Sequence, residues 1–170
     1  ERVGAVRAGA PDARLIVDAN EGWTAAEFKR FAPALAELGV AMIEQPLPAG
    51  KDEALADLDR PVPVCADEAC HGRTSLPALI GRYDMINIKL DKTGGLTEAL
   101  ALRAEAEAAG LGIMVGCMIG TSLSMAPATL VAQGVAVVDL DGPLLLAEDR
   151  PEGLVYRGSI VEPPSPRLWG

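Results

Sequence analysis

Two textures alternate along this chain. Short, almost unbroken apolar runs occupy 15–18 (LIVD), 41–45 (AMIEQ), 62–67 (VPVCAD), 84–90 (DMINIKL), 112–118 (GIMVGCM) and 136–140 (AVVDL). Runs of this length, rich in aliphatic and β-branched residues, predict buried strands. Between them, WTAAEFKRFAPALAEL, DEALADL, RTSLPALIGRY, GGLTEALALRAEAEAAG and TSLSMAPATLVAQG read as helical stretches. Thr24 followed three residues later by Glu27 predicts a capping box at the first of these. Pro33 lies inside the same stretch and predicts a kink or a late start. Gly110 fits the glycine that closes a helix at its C-terminal end. The opening ERVGAVRAGA reads as a helix already under way, and the chain is expected to be a piece of something longer.

Strands alternating with helices predict parallel pairing through right-handed crossovers. Near-continuous apolar strands predict that both faces of the sheet are covered. An open doubly wound sheet and a (β/α) barrel both satisfy this pattern. The charged residues separate them. Asp18, Glu44, Asp67, Lys89 and the pair Asp139 and Asp141 each fall at the C-terminal end of an apolar run. An open sheet gathers its ligand at one switch point, whereas a barrel brings every strand end to one mouth. No G-x-G-x-x-G follows the first strand either, so a dinucleotide site is not indicated. The expected fold is therefore α/β, a (β/α) barrel with six βα units present. A closed barrel of this kind needs about eight strands, so the first ones are expected upstream of residue 1. Residues 1–146 are expected to form this partial barrel, and residues 147–170 a Pro-rich tail.

Composition removes several function classes. The net charge is -9, and Lys and Arg do not cluster, which argues against nucleic acid. No apolar run approaches the roughly 20 residues that cross a bilayer. The three cysteines, Cys65, Cys70 and Cys117, lie in or beside apolar runs and are expected to be reduced core thiols of a cytoplasmic protein. The single histidine, His71, cannot build a zinc site with them alone.

The strand ends carry the candidate chemistry. Asp18, Glu44 and Asp67 end three successive runs, and three carboxylates at one mouth repel one another. A hard divalent cation removes that repulsion, and all-oxygen donors suit Mg²⁺. Alternatively each acid caps a helix or pairs with a surface arginine. Lys89 ends the next run; beside a metal and in apolar surroundings it could serve as a general base. It could also merely balance the acids. Lys92 lies past the strand and is expected to be solvated. Asp139 and Asp141 are two residues apart, which on a strand places both on one face, a receptor for a substrate ammonium. Asp141-Gly142 could instead be only a turn. In GCMIGTS, 116–122, Thr121 or Ser122 can cap the following helix, whose N–H groups could hold a carboxylate.

D-A-N, E-Q-P, A-D-E and N-I-K-L-D-K-T-G-G, in this order and spacing, resemble the enolase superfamily, and more closely its muconate-lactonizing-enzyme subgroup. D-L-D at 139–141 and G-C-M-I-G-T-S look like the dipeptide epimerases of that subgroup, which include L-Ala-D/L-Glu epimerases. The resemblance runs from about Ala13 to Leu146. It implies a modified TIM barrel with an N-terminal capping domain, toward which the tail packs. It implies Mg²⁺ on Asp18, Glu44 and Asp67, and Lys89 as one acid–base lysine acting on an α-proton, with stabilisation of an enediolate. It further implies that Asp139 and Asp141 bind the α-ammonium and the backbone around Met118 and Ile119 the carboxylate. The second lysine of the family, in a K-x-K motif, would precede residue 1, as would the cap. The implied protein is an isomerase acting on a small-molecule dipeptide, possible as a homo-oligomer, with no nucleic-acid or membrane partner. Muconate cycloisomerase, o-succinylbenzoate synthase and N-acylamino acid racemase are the alternatives within the subgroup. Cycloisomerase relatives often carry an acid where this chain has Gly120. A non-catalytic barrel fragment is the alternative outside the subgroup.

Overall fold

The structure, a computed structural model, describes residues 1–169. It divides into two compact units, Glu1–Ile86 and Asn87–Gly170. The break falls inside a strand, so each unit is taken in turn.

The first unit opens with helix α1 (Arg2–Gly9), followed by β1 (Leu15–Asp18), α2 (Ala25–Glu37), β2 (Val40–Glu44), β3 (Val64–Ala66) and α3 (Leu76–Leu79). It ends with the first half of β4 (Met85–Ile88). β1, β2, β3 and β4 pair in chain order, all parallel. The Thr24–Glu27 capping box forms as expected: the Thr24 hydroxyl accepts from the Glu27 N–H, and the Glu27 carboxylate accepts from the Thr24 N–H. Phe28, Ala32 and Leu35, spaced by four and three residues, form the buried stripe of α2. Fully burying a side chain such as Phe28 stabilises by roughly 1.5–3 kcal/mol. The late start offered by Pro33 does not occur, because α2 runs from Ala25 to Glu37 with Pro33 inside it. Pro33 and Lys29, whose carbonyl it leaves unpaired within the helix, both lie on the exposed face, where water can serve. DEALADL forms only a 3₁₀ turn over Glu53–Ala56. β3 starts at Val64 rather than 62, since Pro63 has no N–H to give; its carbonyl instead accepts from the Ile43 N–H.

The second unit continues from the end of β4 through α4 (Leu90–Thr93), α5 (Leu96–Ala108), β5 (Gly112–Val115), α6 (Ser122–Val131) and β6 (Val137–Val138). It closes with an antiparallel hairpin of β7 (Tyr156–Arg157) and β8 (Ile160–Val161). The Gly116 N–H donates to the Ile88 carbonyl, and β5 pairs parallel with β6. The Gly110 ending of α5 is as expected. Gly110 has φ +82°, its N–H reaches the Glu107 carbonyl, and the Leu111 N–H reaches the Ala106 carbonyl. Ala99, Leu102 and Ala106 form the buried side of α5. Gly116 is required by packing, since a Cβ there would lie 2.8 Å from both side-chain heteroatoms of Asn87. No helix among the described residues is long and apolar enough to cross a membrane.

Candidate active site

In the first unit, strand register sets two of the acids level, and the third lies just beyond the next strand. Asp18, the last residue of β1, is the register partner of Glu44, the last of β2; Glu44 in turn faces Cys65 on β3. Asp67 follows β3 directly. Side-chain alternation and parallel pairing therefore bring three carboxylate-bearing positions to the C-terminal ends of adjacent strands. Glu44 and Asp67 are each only 4% exposed, while Asp18 is at the surface. Both Asp18 oxygens accept from Asn20, from its N–H at 2.9 Å and its Nδ2 at 2.8 Å.

A fourth acid belongs with these. Glu68 has an Oε2 that is buried and unpartnered. Its carboxyl is pushed above the ordinary range, first by burial and then by the charges of Asp67, Asp18 and Glu21. A desolvated carboxylate oxygen among like charges is costly unless a cation joins it. Among the described residues, no group of three or more His, Cys, Asp or Glu side chains is drawn together closely enough to hold a metal ion as it stands. The donor chemistry nevertheless fits a hard divalent cation: every candidate ligand offers carboxylate oxygen, and one buried oxygen lacks a partner.

The backbone beside these acids is unusual. Asn20 (φ +44°), Glu21 (φ +62°) and Gln45 (φ +30°) are three of the four non-glycine residues with positive φ among the described residues, the other being Glu152. Each such residue costs of order 1–3 kcal/mol and persists only where its surroundings hold it, which is common at functional sites.

The second unit carries the lysine and the aspartate pair. Lys89 directly follows the buried end of β4 and caps α4, a single turn closed by Gly94 at φ +77°. Lys92 is not simply solvated: it is half-buried, and its Nζ donates to the Asn87 carbonyl at 3.0 Å. Asp139 and Asp141 do not share a strand, because β6 stops at Val138 and Asp141 caps a 3₁₀ turn over Gly142–Leu145. Asp141 has already left the extended region (φ -86°, ψ 0°), and Pro143 sits in the first turn of that 3₁₀ segment, where its missing N–H is not needed. The two carboxyls still meet. Partial burial pushes the Asp139 carboxyl up, and the charge of Asp141 and a hydrogen bond between the pair add to this; Lys89 pulls it down. They line a pocket of about 220 Å³ with Leu144, Tyr156, Gly158 and Ser159.

Cys117 sits against this cluster and is half-exposed, so only Cys65 and Cys70 are core thiols; none of the three is in a disulfide. Burial pushes the Cys117 thiol up, a hydrogen bond from Gly142 lowers it, Asp139 and Asp141 raise it, and Lys89 lowers it. Lys89 is thus within electrostatic reach of the aspartates and the thiol. Tyr156, which donates to the Leu140 carbonyl at 2.7 Å, is pushed up to about 12 by burial and by the negative charges around it.

Met118 and Ile119 lie outside regular structure and are 46% and 71% exposed. The end of α6 expected to receive a carboxylate already holds one. The Ser122 N–H donates to Asp149 Oδ1 at 3.0 Å, and the Ser122 hydroxyl makes a short bond to Asp149 Oδ2. Thr121 occupies the cap position, but its side chain makes no cap bond. Asp149 and Tyr156 lie in a tail whose sequence carries no strand or helix period to announce them.

Alternating parallel βα units with ionisable side chains at the strand ends define the class of α/β barrel proteins whose chemistry sits at the C-terminal end of the strands. The chain belongs to the Enolase C-terminal domain-like family, which it matches over residues 1–166. It is 56% identical over 149 residues to the L-Ala-D/L-Glu epimerase of Escherichia coli, a match covering 88% of this chain and 46% of that protein. It is 50% identical over 169 residues to an N-acetyl-D-glutamate racemase of Pseudoalteromonas, covering 99% of this chain and 54% of that protein. An enolase family member from Agrobacterium tumefaciens with homology to dipeptide epimerases, solved with bound sodium and L-Ala-L-Glu, superposes with a TM-score of 0.97 at 63% identity, covering 99% of this chain and 52% of that one. The chain spans about half the length of the curated relatives it matches.

Proposed function

We propose that this chain carries the metal-binding residues and one acid–base residue of a dipeptide epimerase acting on an N-acylated glutamate such as L-Ala-D/L-Glu. The supporting observation is the set of adjacent parallel strands that end on or just before Asp18, Glu44 and Asp67, with Asp18 and Glu44 in register, together with a lysine directly after β4. Those three acids would hold Mg²⁺. When bound, the ion supplies electrophilic stabilisation for negative charge building on the substrate's carboxylate oxygens.

Lys89 takes or returns the α-proton on one face of the α-carbon. A lysine does this best near neutral pH when its surroundings disfavour the ammonium. The Asp139–Asp141 pair binds the dipeptide ammonium: a cation arriving between two carboxyls offsets the burial and the repulsion that hold Asp139 above its ordinary range. Met118 and Ile119 present backbone to the substrate carboxylate. The reading places this isomerase in the cytoplasm, in keeping with cysteines that form no disulfide.

A second substrate is favoured by the 50% identity to the N-acetyl-D-glutamate racemase. N-acetylglutamate shares the acylated glutamate of Ala-Glu but has no ammonium. The substrates are separated by measuring kcat/KM for L-Ala-L-Glu and N-acetyl-glutamate in the intact protein and in Asp139→Asn. A dipeptide epimerase prefers L-Ala-L-Glu, and Asp139→Asn erases that preference. A preference for N-acetyl-glutamate that survives the substitution would remove the ammonium role and favour the acylamino acid racemase.

A further inference from the structure

Gln45 is fully buried, strained in its backbone, and bonded to β3 and to the loops that follow Asp18 and β3. Its N–H donates to the Cys65 carbonyl of β3 at 2.9 Å. Its carbonyl accepts from the Glu21 N–H at 2.8 Å, in the loop that leaves Asp18. Its side-chain Oε1 accepts from the N–H of Asp67 at 2.9 Å and of Ala69 at 3.1 Å. Its Nε2 donates to the Leu47 carbonyl and to the Tyr83 hydroxyl, both at 2.8 Å. Two backbone N–H groups on one end and a carbonyl on the other fix which end of the amide is oxygen. Every hydrogen-bonding position of the amide is filled.

The far side of the amide is anchored as well. Tyr83, 2% exposed, donates to Asp52 Oδ2 at 2.6 Å, and Asp52, 2% exposed, pairs with Arg82 at 3.0 Å. The Tyr83 hydroxyl is therefore committed as a donor to Asp52, which leaves its oxygen to accept from Gln45. Burial, with Asp52 beside it, pushes the Tyr83 hydroxyl well above its ordinary range, so it keeps its proton. A buried chain, Asp52–Tyr83–Gln45, anchored by the half-buried Arg82, thus ends on the backbone of Asp67.

From these contacts we propose that Gln45 is the positioning residue of the metal site. Its backbone locks β2 to β3 and to the loop after Asp18, and its amide oxygen sets the loop that presents Asp67 and Glu68. The proposal rests on the assignment of Asp18, Glu44 and Asp67 as metal ligands. Gln45 touches neither metal nor substrate; it acts through the acids it orients. The strained φ of +30° is held by eight other groups and fits a residue whose position matters more than its local comfort. Those groups are the partners named above and the flanking Glu44 and Pro46.

The test is Mg²⁺ affinity by calorimetry in the intact protein, for wild type, Gln45→Met, Gln45→Glu and Thr24→Ala. Methionine keeps the length but removes both amide ends, and the affinity is expected to fall about tenfold or more, the usual effect of losing a partner behind a ligand. Glutamate keeps the acceptor oxygens for Asp67 and Ala69, and is expected to stay within about threefold of wild type. Thr24→Ala, which lowers stability through the cap of α2, is expected to leave affinity unchanged. Equal losses in the methionine and glutamate variants, or methionine within about threefold of wild type, would overturn the positioning role. Should Gln45→Met not fold, Gln45→Gly, which suits the positive φ, carries the same comparison with the same expected loss. Wild type that binds no Mg²⁺ would remove the metal assignment and this role with it. Wild type that binds Mg²⁺ but exchanges no α-proton would remove the epimerase assignment alone, and the variant ratios would still decide on Gln45.

Discussion

The two units hold their candidate residues by different means. In Glu1–Ile86, the acids sit at the ends of strands whose parallel register aligns Asp18 with Glu44, and a buried amide ties the strand ends together. In Asn87–Gly170, the last strand of the parallel run is two residues long, and Asp139 and Asp141 lie beyond it in a turn. There, placement comes from side-chain and tail contacts: Gly142 against the Met118 carbonyl and Cys117, Tyr156 on Leu140, Asp149 on Ser122. A metal site needs ligand positions fixed to fractions of an ångström, and hydrogen-bonded strand ends supply that rigidity. A surface that must admit and release a substrate can be built from turns and a tail.

The contrast can be broken at several points. The largest effect is expected at Lys89. Lys89→Ala should lower kcat by about 10²–10⁴-fold, the usual worth of a general acid–base group, with Mg²⁺ affinity retained. Loss of metal binding together with activity would make Lys89 structural. Next comes Asp141→Asn, expected to raise KM for L-Ala-L-Glu by about tenfold or more, as for a hydrogen bond to a charge, while the KM for N-acetyl-glutamate moves little. Equal changes for both substrates would move the ammonium elsewhere.

The tail latch should give a smaller, pH-dependent effect. Ser122 and Arg150 N–H bonds and the Ser122 hydroxyl hold the Asp149 carboxyl below its ordinary range, although partial burial opposes them. A depressed carboxylate pKa stabilises the fold above the ordinary carboxylate range, and that stabilisation is lost as pH falls through the depressed value. Ser122→Ala should therefore cost about 1 kcal/mol at pH 7 by urea unfolding, with the gap to wild type narrowing in acid. A gap that is flat with pH would mean that the cost is packing alone. Asp139 has the opposite sign. Its raised pKa makes ionisation a burden on the fold, one that sets in as pH rises past the ordinary range. Asp139→Asn should raise Tm at pH 7 and raise it less at pH 4. The smallest effect belongs to Thr24→Ala, about 1 kcal/mol of stability with no change in kinetics.

The same contrast explains what was legible in the sequence. Helix ends governed by local chemistry, the Thr24–Glu27 box and Gly110, were readable because a few residues decide them. The parallel order and the acids at strand ends followed from period and spacing, since strand direction fixes where the terminal side chains lie. The resemblance carried by E-Q-P and A-D-E named Glu44 and Asp67 but passed over Gln45 and Glu68, though both stand in the same motifs. A buried glutamine declares itself only through partners far away in sequence, here Tyr83 and Asp67. Glu68 needed its burial and its unpartnered oxygen to be seen. The shared strand expected for Asp139 and Asp141 failed because β6 ends at Val138 and the chain turns at Asp141-Gly142, the turn reading that the sequence also offered. Lys92 and Cys117 were misjudged because a half-buried contact between neighbouring elements leaves no periodic trace. Asp149 lay in a tail with no pattern at all.

Deuterium uptake at the α-carbon of L-Ala-L-Glu tests the central claim most directly, followed by proton NMR in D₂O with wild-type intact protein and with Lys89→Ala, with Mg²⁺ and after its removal by chelation. The account predicts uptake with wild type and Mg²⁺, none after chelation, and at least a hundredfold slower uptake with Lys89→Ala carrying bound Mg²⁺. Uptake that ignores chelation, or that persists at the wild-type rate without Lys89, would contradict it.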